Sequence, residues 1–87
     1  MSSHGTTYPQ AQREAWSAAA AAHDTAVWRC VDARARLALA FMDPPARQQR
    51  LQQQLEALCT ARDATFDRLR TMQADLCAAE AEYYATT

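Results

Sequence analysis

The sequence predicts an all-α fold, an antiparallel two-helix hairpin packed like a coiled coil, and three observations carry that expectation. Alanine, leucine, glutamine, glutamate and arginine, all good helix formers, make up more than half of the chain. Isoleucine is absent and valine scarce, so strands would lack the side chains they prefer. The single glycine, Gly5, and the three prolines, Pro9, Pro44 and Pro45, confine chain breaks to the start and the middle. At 87 residues there is room for one domain.

The small, polar residues 1–7 predict a disordered tail, followed by one helical-hairpin domain over 8–84. The first helix is expected from about residue 8 to about 42. Thr7 can cap it, Gln10 stands three residues later as a capping box requires, and Pro9 suits the first turn. At about 100° per residue, one face gathers Trp16, Ala19, Ala20, His23, Val27, Cys30, Val31, Leu37, Ala38 and Phe41. Its N-terminal half is mostly alanine, which lets another helix approach closely but buries little area. A second apolar patch, roughly a third of a turn away, holds Trp28, Ala35, Leu39 and Met42, beside Ala21.

Asp43-Pro44-Pro45 is the predicted turn over 43–45. Proline pushes the residue before it out of the α region, so Asp43 ends the first helix. Aspartate is also a strong N-cap, and Pro44 fits the first helical position, where its missing N–H costs nothing. The chain therefore stops and restarts rather than kinking.

The second helix is expected over about 44–82, with a frayed end over 85–87. Its stripe is Leu51, Leu55, Leu58, Phe66, Leu69, Met72, Leu76 and Tyr83, with Cys59 and Tyr84 on the flank. The opposite face is polar. RQQRLQQQLEAL, residues 47–58, is low in complexity but keeps its leucine period and reads as helix surface. Folding at the turn makes the numbers of facing residues add to about 87, which brings Cys30 near Leu58 and Cys59, and Trp16 near Met72.

Composition limits the function. Net charge is −1 and all nine basic residues are arginine, with no lysine or asparagine, a pattern of codon bias more than of phosphate binding. No nucleic-acid partner is expected. No apolar run approaches the ~18 residues of a membrane span, and MSSHGTTYPQ has no signal-peptide pattern. Cys30, Cys59 and Cys77 are odd in number and widely spaced, which points to reduced thiols and a cytoplasmic or host-cell interior location.

No motif carries chemistry. His23, Cys30 and Cys59 fit no zinc spacing, so packing is the expected role and no metal or cofactor is expected. His23 is expected to be held by Asp63 or Asp67. Arg34 and Arg62 interrupt their stripes, either as interface anchors or as snorkelling side chains, with Asp24 as a partner for Arg62. Two helices offer no walled pocket for a small-molecule substrate, so an enzyme is not expected. A two-helix seam leaves much apolar surface wet, and a four-helix bundle made by dimerisation, or a larger partner, would complete it. The expected function is protein–protein interaction, as a small adaptor, co-chaperone or assembly subunit docking through Trp28, Ala35, Leu39, Met42, Arg34 and Arg62. A self-assembling homodimer with no other partner is the alternative.

Overall fold

The computed structural model of the chain describes residues 7–86. Apart from Thr7, the tail expected over 1–7 lies outside the described residues, as does Thr87. Two α-helices make an antiparallel hairpin: α1 (Gln10–Leu39) and α2 (Pro45–Thr86). The rod measures 71 × 14 × 13 Å.

Both helices begin later than the sequence predicts, and the reason is proline chemistry. At Pro9 (φ −74°, ψ 66°) the chain closes a tight turn in which the Gln10 N–H donates to the Tyr8 carbonyl at 2.7 Å. That turn uses the place of the expected capping box. No side chain caps α1, and the Gln10 amide reaches Glu14 instead, at 3.1 Å.

At the other end α1 stops at Leu39, not at 42. The N–H of Ala40 donates to Leu37 (3.1 Å) and that of Asp43 to Ala40 (2.9 Å), so the last turn tightens before the prolines. Pro44, not Asp43, then takes the cap position of α2, its carbonyl accepting from the N–H groups of Arg47 (3.0 Å) and Gln48 (3.1 Å). The Asp43 carboxylate pairs with Arg47 at 2.8 Å. The Gln48 amide donates to the carbonyls of Asp43 (2.9 Å) and Phe41 (3.2 Å), satisfying oxygens that the turn would otherwise strand. At the far end α2 runs past the expected 82 to Thr86, whose hydroxyl bonds the Glu82 and Tyr83 carbonyls.

The seam keeps a strict alternation of three- and four-residue steps. On α1 and just beyond it, the covered positions run Trp16, Ala19, His23, Ala26, Cys30, Ala33, Leu37 and Ala40. On α2 they run Gln48, Leu51, Leu55, Leu58, Arg62, Thr65, Leu69, Met72, Leu76, Ala79 and Tyr83. A period of 3.5 lags an ideal helix by about 20° per heptad and coils the pair left-handedly. That drift explains the differences from the expected stripes. Val31, Ala38 and Phe41 leave the seam and are exposed, while Ala26, Ala33 and Ala40 enter it. On α2, Phe66 swings out and Thr65 takes its level.

Cross-helix bonds set the register. His23 bonds Thr65 and Tyr8 bonds Glu80, pairs whose numbers add to 88, one away from expectation. At that register Ala19, Ala26, Ala33 and Ala40 lie level with Leu69, Arg62, Leu55 and Gln48. Every second layer therefore pairs an alanine with a longer side chain, which suits the close end of the usual 8–10 Å helix spacing. The two large apolar side chains that lose nearly all contact with water are Leu55 and Leu76. Burial of each contributes about 2 kcal/mol, so the seam is thin for a chain of this length.

Candidate interaction surface

The feature that sets this hairpin apart is the side of α1 turned away from α2. Residues 28, 31, 35 and 39 fall on one side of α1 at steps of three and four, opposite the seam residues Cys30, Ala33 and Leu37, and residue 42 follows in the turn just past the end of the helix. Trp28, Val31, Ala35, Leu39 and Met42 are all exposed there. Trp28, Leu39 and Met42 leave 65, 79 and 81% of their surface in solvent. Together these side chains expose on the order of 600 Å² of apolar surface, at or above the largest patch of a typical monomer. Phe41, in the turn past the end of α1, is likewise exposed.

The rim is polar. Asp32 and Arg36 pair at 3.0 Å, and Asp43 with Arg47 closes the turn end. Such exposed pairs add little stability but mark where the apolar strip stops.

Four residues singled out from the sequence, Trp28, Ala35, Leu39 and Met42, thus share one face. Arg34 stands exposed at its edge, not in the middle of the seam. Arg62 does not belong to this face. It lies half-covered in the seam on α2, and its guanidinium turns back to the neighbouring Asp63 at 3.1 Å rather than across to Asp24. The Asp63 carboxylate raises the Arg62 pKa above the ordinary guanidinium value, mainly through that hydrogen bond. Val31 is the residue that the sequence reading assigned elsewhere, and its three-residue step from Trp28 was the available signal.

Two polar sites interrupt the seam. His23 meets Thr65, not Asp63 or Asp67, with Nδ1 3.0 Å from Oγ1. The Thr65 hydroxyl donates to the Arg62 carbonyl at 2.8 Å, so its oxygen accepts and His23 Nδ1 carries the proton. The Phe66 ring lies against His23 at 5.4 Å. Two turns along, Cys30 is 1% exposed and faces Cys59. Burial pushes the Cys30 thiol up, and the neighbouring Cys59 thiol adds to the shift. All three cysteines are free thiols. Among the described residues no three His, Cys, Asp or Glu side chains converge as a metal site would require.

A third polar site clasps the open end. The Tyr8 hydroxyl donates to Glu80 at 2.5 Å, Arg13 reaches the same carboxylate at 3.5 Å, and the Tyr8 ring meets Tyr83 edge to face at 5.4 Å. The bond to Glu80 raises the Tyr8 pKa. No apolar stripe contains Tyr8, Arg13 or Glu80; only the register places them together.

The class that fold and surface define is an antiparallel coiled-coil hairpin with an uncovered apolar face on α1. Among the described residues no helix is long and apolar enough to cross a membrane. No protein-family model, curated protein or solved structure matches the chain.

Proposed function

We propose that this chain is a protein–protein interaction module, a small adaptor, co-chaperone or assembly subunit of the cytoplasm or a host-cell interior, that works by docking rather than by catalysis. The observation that carries this reading is the strip Trp28–Val31–Ala35–Leu39–Met42, which is apolar, continuous and uncovered. A solvated helix face has no use for tryptophan, leucine and methionine in a row, and removing them from water supplies binding free energy at ~25 cal/mol per Å². Tryptophan is also among the side chains most enriched at binding hot spots. Two helices bound a groove on one side only, which suits a flat protein contact better than an enclosed substrate. The near-neutral charge gives phosphate backbones little to hold.

The test immobilises the full chain and compares the proteins retained from an extract of the cells that express it with those retained by Trp28→Ala/Leu39→Ala. Specific proteins held by the parent and lost by the variant, at equal helicity, support docking through α1. A variant that retains everything the parent does removes the α1 face from consideration.

A further inference from the structure

The apolar positions on α1 and in the turn that follows it are spaced symmetrically about Ala35. Trp28 and Met42 each stand seven residues from it, Val31 and Leu39 each four. A contact between two copies of one surface needs this kind of order, because a residue meeting another across a twofold axis must also be met by it. We infer that the face of α1 is covered by a second copy of this chain, antiparallel, with the twofold axis at Ala35. This deepens the docking reading above and rests on it.

In that arrangement Trp28 of each chain packs on Met42 of the other, and Val31 on Leu39. The two Ala35 methyl groups meet at the axis, where a small side chain allows the closest approach. Large residues then fill the space where two crossing helices diverge. Arg36, whose charge is already offset by Asp32 at 3.0 Å, comes level with Arg34 of the second copy.

Area supports this occupant. The chain exposes 6353 Å², whereas a compact monomer of its 9.7 kDa would expose about 5,100 Å². Two strips of about 600 Å² make an interface of about 1,200 Å², at the threshold of stable protein–protein contacts and self-sufficient in size. The thin seam of the single hairpin gains a second apolar layer from the same contact.

The experiment uses the full chain. Size exclusion with light scattering over a hundredfold dilution should give twice the 9.7 kDa chain mass at the concentrated end. Ala35→Glu, which sets two carboxylates against each other at the axis, should hold the single mass with helicity unchanged. Under mild oxidation Ala35→Cys should join into a covalent dimer, while Ala21→Cys should link no more than the parent, whose exposed Cys77 sets the background. A single mass throughout, with Ala35→Cys at background, overturns the second copy. If Trp28→Ala/Leu39→Ala still loses a specific protein in the retention experiment, docking survives with another occupant; if it loses none, both readings fail. Equal linking of Ala35→Cys and Ala21→Cys overturns the antiparallel axis in favour of a side-by-side pair.

Discussion

At the scale of single residues, Cys30 and Cys77 have one chemistry and opposite settings. Cys30 is buried against Cys59, and desolvation disfavours its thiolate, the species that attacks electrophiles. Cys77 stands in water. Timed alkylation of the folded protein, read by peptide mass, should therefore modify Cys77 first and Cys30 at least roughly tenfold more slowly. The sign of the pH effect follows from the raised pKa: folding favours the protonated thiol, so the advantage is present below the ordinary thiol range and is lost as pH rises through the folded value. The lag of Cys30 should shrink in alkali as the seam loosens. Equal rates at neutral pH would mean that the seam opens faster than the reagent reacts.

At the scale of the element, the alanine rank on α1 sets helix spacing. Ala33→Leu forces an isopropyl group into a layer already filled by Leu55, and should cost about 1–3 kcal/mol in thermal or urea unfolding. The same exchange at the exposed Ala64 should stay within about 0.5 kcal/mol. Matching small effects at both sites would show that the helices are not held close. The hairpin itself was legible in the sequence, because Asp43-Pro44-Pro45 stops a helix for local steric reasons and the two apolar stripes face each other at one register. The alanine rank was not fully legible. A wheel turned at 100° per residue moves off a 3.5-residue period, and it exchanged Ala33 for Val31 and Thr65 for Phe66. The clasp of Tyr8, Arg13 and Glu80 was illegible for another reason: polar partners far apart in sequence leave no periodic trace, so only the register brings them together. The exposed apolar face of α1 was half legible, since its large residues stood out as a second stripe, while Arg62, grouped with them, lies in the seam on α2.

At the scale of the molecule, the hairpin is a rod with a Cα radius of gyration of 20.0 Å, far from the ~12 Å of a compact domain of this length. X-ray scattering from Ala35→Glu should return a value near 20 Å and a length near 71 Å. The parent dimer, overlapping only around Ala35, should extend to roughly 115–120 Å, because each chain reaches about 12 Å past the axis at its turn. A parent of twice the mass but no longer than the variant would place the two rods side by side, and one of the same mass and length would be the single hairpin.

Alanine recurs every seventh residue at 19, 26, 33 and 40, and to the opposing helix one such notch is the same as the next. A ruler with identical marks measures spacing but not position. Position is held instead by the short connection through Pro44 and by two unlike pairs, His23 with Thr65 and Tyr8 with Glu80. If the backbone were severed between residues 40 and 44, α2 would be free to step along α1 by whole heptads, about 10 Å at a time, with the alanine notches meeting new long side chains and those two pairs broken together with the contacts of Arg13 and Tyr83.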